Sequence, residues 1–126
     1  MLRSWQVKHF VPHALIILAL VALAADTLPE NACLGVLLVA HLLVPVWSAT
    51  IARRDTRVRA IAFGPGTVIG FHAIALLITL LSTIGGVPEG TWITLMMVFF
   101  WALALAAYTL YCAITFSIIT RVRGTK

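Results

Sequence analysis

The topology of this chain turns on ATIARRDTRVRAIAF, residues 49–63. Its centre carries four arginines within seven positions, Arg53, Arg54, Arg57 and Arg59, with Asp55 as the one acidic residue among them. On either side the charge vanishes: residues 32–52 and 60–86 contain no Lys, Arg, Asp or Glu. Crossing a hydrocarbon core of ~30 Å takes about 20 helical residues, and each flank is long enough. A basic knot between two such runs reads as a loop that returns the chain into a bilayer.

Working outward, two further apolar runs occupy residues 10–28 and 92–120. The breaks are Asp26-Thr27-Leu28-Pro29-Glu30-Asn31 and Gly85-Gly86-Val87-Pro88-Glu89-Gly90, both rich in turn and charge signals. Only helices and closed barrels satisfy backbone groups in lipid, and the strict alternation of barrel strands is missing. Composition agrees. The chain is 62% apolar and 10% charged, against about half and about a quarter in soluble domains. A soluble chain this small would leave much of that apolar surface in water.

The expectation is therefore an all-α integral membrane protein, one domain over residues 1–126. Its four transmembrane helices form two hairpins, near 10–28, 32–52, 67–87 and 92–120. The third starts near Thr67 because Gly64-Pro65-Gly66 interrupts its apolar run. The chain before it is expected to follow the inner interface, with residues 53–59 as a basic inner loop. The fourth run has 29 residues, ~43 Å if helical, so it tilts or projects beyond the membrane.

Charge placement orients the bundle. Arg3 and Lys8 precede the first run, the four arginines lie between the second and third, and Arg121, Arg123 and Lys126 follow the fourth. Asp26, Glu30 and Glu89 fall on the other side. Basic residues stay cytoplasmic, so both termini are expected inside a plasma membrane of bacterial inner-membrane type. The net charge of +5 is then a topology signal, and no nucleic-acid partner is expected. Arg53, Arg54, Arg57 and Arg59 would also attract anionic lipid headgroups. Residues 1–25 also fit a secretory signal, with Ala22-Leu23-Ala24 as the cleavage site; an alanine-rich first transmembrane helix is the preferred expectation.

Four histidines stand out in this apolar background: His9, His13, His41 and His72. Ionisable groups inside a membrane are costly and point to function by default. His41 lies ~18 Å from the outer loop if helical, near the midplane, whereas His13 and His72 lie at matched depths of ~24 Å. Pro45 follows His41 by four positions. Having no amide hydrogen, it leaves the His41 carbonyl without its helical partner. One point thus offers an imidazole and a free carbonyl, a polar intramembrane spot that Tyr108, Tyr111 and Thr115 of the last helix could complete.

Three readings compete for these histidines. In the preferred one they hydrogen-bond across the bundle to Ser, Thr or Tyr groups and hold helices together. In the second, His13 with His72, or His41 with His72, ligates a b-type haem as axial imidazoles; no other cofactor is expected. In the third, His41 passes protons or lines a solute path. His9 and His13 share one helical face at a chelating spacing, but an interfacial pair is the simpler reading.

Small residues mark close helix contacts: Gly66 and Gly70 form a GxxxG, and Ala102 and Ala106 repeat its spacing. They are expected to pack within the monomer first. Cys33 and Cys112 lie near opposite faces, ~30 Å apart along the helix axis, too far for a disulfide; Cys33 could join two protomers, although an inert apolar thiol is the simpler reading. Trp5 and Trp92 suit opposite interfaces, while Trp47 and Trp101 are deeper and suit packing.

A shift of 59 residues aligns the two hairpins without a gap, placing His13-Ala14 on His72-Ala73 and Pro29-Glu30 on Pro88-Glu89. A tandem hairpin duplication would give that register, although any two hairpins share a hydropathy outline.

Enzymatic chemistry finds no support: there is no carboxylate pair, activated nucleophile, phosphate loop or metal cluster. The expected function is that of a non-enzymatic membrane protein acting through helix–helix contacts. It would serve as a small subunit, assembly factor or immunity-type binder, with itself or a larger membrane complex as partner. An oligomeric channel or transporter, and a haem-binding anchor of an electron-transfer complex, are the alternatives.

Overall fold

A computed structural model describes residues 4–53, 56–85 and 91–124. Helices α1 (Ser4–His9), α2 (Val11–Ala24), α3 (Glu30–Ile51) and α4 (Arg57–Ile61) are followed by a π-helical turn (Ala62–Gly66), then α5 (Thr67–Ile84) and α6 (Thr91–Gly124). No strand occurs among the described residues. Three helices are long and apolar enough to cross a membrane: Glu30–Ile51, Arg57–Ile84 and Trp92–Gly124, of 22, 28 and 33 residues. Val11–Ala24 is apolar but shorter, 14 residues or ~21 Å. Of the four spans expected from sequence, three therefore have full spanning length.

The first run stops at Ala24 rather than at 28 because the chain closes a Schellman turn there. Asp26 adopts φ 51°, the left-handed region that short polar side chains tolerate best after glycine. The Asp26 amide bonds the Leu23 carbonyl at 3.3 Å and the Thr27 amide bonds Ala22 at 3.1 Å, which satisfies carbonyls a helix end leaves open.

The expected interfacial stretch before residue 67 is corrected. Residues 57–66 are helical and run straight into α5. In an α-helix the Ile61 carbonyl would need the amide hydrogen that Pro65 lacks. The π turn widens the ladder to i→i+5, so the next amide, that of Gly66, can serve instead. A Cβ on Gly66 would stand 2.9 Å from the Ile61 carbonyl oxygen, so a glycine suits this turn. Arg57 and Arg59 accordingly sit on α4 rather than in a loop. Arg53 lies in the connection, where its amide donates to Thr56 Oγ1 at 3.0 Å, and Arg54 lies outside the described residues.

Helix α3 is the hub, packing against α2, α6, α4 and the π turn. It runs parallel to α6, because Leu42 meets Tyr111 at one level and Thr50 meets Arg123 further along both helices. Val44, Ser48 and Ala49 are fully buried, and Ala49 packs with Ala60 and Phe116. Of the described glycines, Gly64 lies tightest against another helix, since an added Cβ would come within 2.6 Å of the Ser48 Cβ.

Most other apolar side chains face outward; Ile84 is 71% and Met97 67% exposed. Such surfaces fit lipid as solvent. Both small-residue stripes differ from the expected packing within the monomer. The Cβ position of Gly70 faces open space, Ala102 and Ala106 are exposed, and Gly66 serves the π turn. Cys33 and Cys112 are free thiols, and at 1% exposure Cys33 is not presented to a second chain.

Candidate functional site: a histidine network between three helices

The network starts from a backbone defect. Pro45 sits inside α3 and leaves the His41 carbonyl without an i+4 donor. The Tyr108 hydroxyl of α6 fills the vacancy at 2.7 Å, and Tyr111 donates to the neighbouring Leu42 carbonyl at 2.9 Å. Two backbone carbonyls and two phenol hydroxyls, polar groups costly to leave unpaired in an apolar medium, thereby satisfy one another.

The His41 ring extends the network to α5. Its Nδ1 lies 2.7 Å from the Leu37 carbonyl, so Nδ1 carries the hydrogen and Nε2 is left as an acceptor. His72 Nε2 stands 3.0 Å from that acceptor and so carries the donated hydrogen. His72 Nδ1 in turn accepts from the Trp101 indole at 3.3 Å. Both tautomers follow from the two ends of the chain, a carbonyl and an indole N–H. The result is a one-directional line from Trp101 through His72 and His41 to Leu37. It joins α6, α5 and α3 with every ring nitrogen used.

The same device recurs at the other end of α3. Pro12, four residues after Lys8, deprives the Lys8 carbonyl of its helical amide, and Trp47 Nε1 donates to it at 2.6 Å. The sequence carries the signal, a proline vacancy and a tryptophan on the adjoining helix, although depth alone assigns Trp47 only to packing.

His13 stands apart from this line. Its Nδ1 donates to the His9 carbonyl at 3.1 Å, its ring lies edge-on to Phe10, and its Nε2 is buried without a hydrogen-bond partner. His13, His41 and His72 nevertheless line one cavity of about 370 Å³ between α2, α3 and α5, walled by residues such as Ile16, Leu37 and Phe71. Matched depth suggested His13 with His72; the rings in contact are His41 and His72, 5.3 Å between centroids. The aligned histidines of the two hairpins thus have different partners. Thr115 is half-buried and makes no hydrogen bond to the spot among the described residues.

Imidazole–metal bonds are about 2.0 Å, so two trans axial nitrogens stand ~4 Å apart; the 3.0 Å between His41 and His72 is a hydrogen-bond distance. Among the described residues no group of three or more His, Cys, Asp or Glu side chains is placed to hold a metal ion. Compared with protein-family models, curated proteins and solved structures, the chain matches none.

The Tyr108 bond matters only while Pro45 leaves the His41 carbonyl vacant. Tyr108→Phe will lower stability by about 1 kcal/mol, the scale of a hydrogen bond between membrane helices. In a Pro45→Ala background the same substitution will cost much less, because the alanine returns an amide to the His41 carbonyl. Unfolding of the four variants in bicelles gives the coupling; equal costs in both backgrounds would refute the account.

Proposed function

We propose that this chain is a non-enzymatic membrane protein acting through lateral helix–helix contacts, as a small subunit, assembly factor or immunity-type binder. The observation that carries the reading is the state of α6. None of its most apolar 18-residue window is buried inside the chain, and only 6% of that of the Arg57–Ile84 span is. The polar groups of the histidine line are meanwhile spent on holding α3, α5 and α6 together. A rigid clamp inside and long bare faces outside suit a protein whose surface meets other helices. The exposed Ala102 and Ala106, and the open space at Gly70, lie on those faces and let a foreign backbone come close.

In the proposed orientation both termini and the arginine-rich end are cytoplasmic, following the positive-inside rule. Described basic residues do gather at one end of the bundle, since Arg123 reaches the last carbonyls of α3 and Arg57 the Thr120 carbonyl of α6.

Particle mass in mild detergent and in nanodiscs tests the proposal. The expected result is a species heavier than one chain, reduced to a monomer by Ala102→Leu with Ala106→Leu. A monomer under both conditions, together with solute flux from purified protein in liposomes, would overturn it. The three-histidine cavity favours haem b as a second reading, in which ligation would have to open the His41–His72 contact. A Soret band from haem-replete cells, lost in His72→Ala, is its signature, and a colourless preparation removes it.

A further inference from the structure

At the end of the bundle away from Asp26 and Glu30, the tips of α3, α4 and α6 surround an open cleft of about 730 Å³. Arg53, Arg57, Arg121 and Arg123 line it, with Ala49 and Ala52 as apolar wall. Two of these guanidinium groups are held in place by helix ends. Arg123 Nη1 donates to the Ala49 and Ala52 carbonyls at 3.3 Å and also to that of Thr50. Arg57 Nη2 donates to the Thr120 carbonyl at 3.4 Å. Cations suit these positions, where a helix C-terminus carries partial negative charge. Their remaining N–H groups are not engaged by described residues, and the side chains of Arg53 and Arg121 donate no hydrogen bond to any described residue. Four positive charges, two of them anchored, therefore share one cleft, and the sequence places a single carboxylate nearby, Asp55, outside the described residues.

The geometry points to a lipid headgroup carrying two phosphates as the occupant of this cleft. Guanidinium forks match phosphate oxygens in pairs, and four forks match two phosphates. The cleft is far larger than one phosphate needs, and it opens beside apolar helix surface, with Val122 57% exposed on α6, where acyl chains can continue. Basic pockets between helix ends on the cytoplasmic side are suited to multiply charged headgroups of the cardiolipin type. The loop arginines alone suggested only diffuse attraction; Arg121 and Arg123 turn it into a concave site. This inference is independent of the docking proposal, since it concerns one lipid bound by one chain.

Native mass spectrometry of the full chain in detergent tests it, with cardiolipin, phosphatidylglycerol at equal phosphate, phosphatidylcholine and inorganic phosphate as probes. One cardiolipin per chain is expected, bound more tightly than phosphatidylglycerol, with phosphatidylcholine not retained. Arg53→Gln with Arg121→Gln removes the two arginines that cap no helix, so helicity by circular dichroism should hold while cardiolipin binding weakens about thirtyfold. Arg59→Gln removes an exposed charge outside the cleft, where solvent screens it, and should leave binding within about twofold. Equal weakening in Arg59→Gln would mean diffuse charge and overturn the site, as would wild-type binding in the double variant. Equal retention of phosphatidylglycerol would overturn the two-phosphate assignment, and displacement by inorganic phosphate would overturn the lipid.

Discussion

Gly64→Ala will destabilise this protein more than any other single methyl addition at its described glycines, and Ser48→Gly in the same chain will restore most of the loss. The added Cβ would lie within 2.6 Å of the Ser48 Cβ, a distance at which backbones must separate. Neither side can yield by turning a flexible side chain. Ser48 is fully buried, and Gly64 sits on the π turn beside Pro65, whose ring fixes its own φ. Overpacking of this kind costs about 1–3 kcal/mol, and more where backbone must move. Replacing Ser48 by glycine removes both atoms nearer than 3 Å, leaving the Val44 carbonyl at 4.0 Å. Ser48→Ala alone should be neutral or mildly stabilising, because its buried hydroxyl has no partner. Thermal unfolding in one detergent distinguishes the four chains; a Gly64→Ala protein as stable as the parent would show that α3 and the π turn do not approach so closely.

His72→Ala is expected to have the second largest effect, a loss of about 2 kcal/mol. Two groups lose their partners together, the His41 Nε2 acceptor and the Trp101 indole N–H. In water-soluble cores such orphans cost about 1–3 kcal/mol each. Between membrane helices the average falls to about 0.6 kcal/mol, because separated helices also find partners. Two bonds at that value give ~1.2 kcal/mol, and the packing lost when the imidazole is truncated to a methyl supplies the rest. Trp101→Phe breaks one bond only and should cost about half as much. His41→Ala with His72→Ala should cost clearly less than the two single losses added, because one shared bond is counted twice. Strict additivity would show that the rings do not hydrogen-bond.

Parts of the site could be read along the chain. Pro45 lies four residues after His41, and a proline always vacates the carbonyl four residues before it; Tyr108 and Tyr111 were visible as hydroxyl donors on the last helix. That reasoning needs only local geometry. It reached neither Gly64 against Ser48, nor Trp47 on the Lys8 carbonyl, nor Arg123 on the end of α3. Each of those depends on the rotation of one helix about its axis and its axial offset against another. Amphipathic helices in water reveal their inner face by a polar stripe opposite. Here Val11–Ala24 and the long helices are apolar nearly all round, so no stripe marks the inside. The Gly66–Gly70 and Ala102–Ala106 spacings offered faces to pack, yet Gly66 serves the π turn and the Gly70 and alanine positions face outward, while two histidines, two tryptophans and two tyrosines make the hydrogen bonds between helices.

Read along the chain, the residues already call for helices apolar enough to span a membrane and show where the basic ends fall. Those properties follow from run length and charge, which any conformation of the backbone must respect in lipid. Only the tertiary structure decided that Gly-Pro-Gly widens a helix instead of breaking it, that His41 pairs with His72 rather than His13, and that four arginines from three helix ends share one cleft. Each of these is a distance between residues remote in the chain, fixed by side-chain packing that run length and charge do not encode.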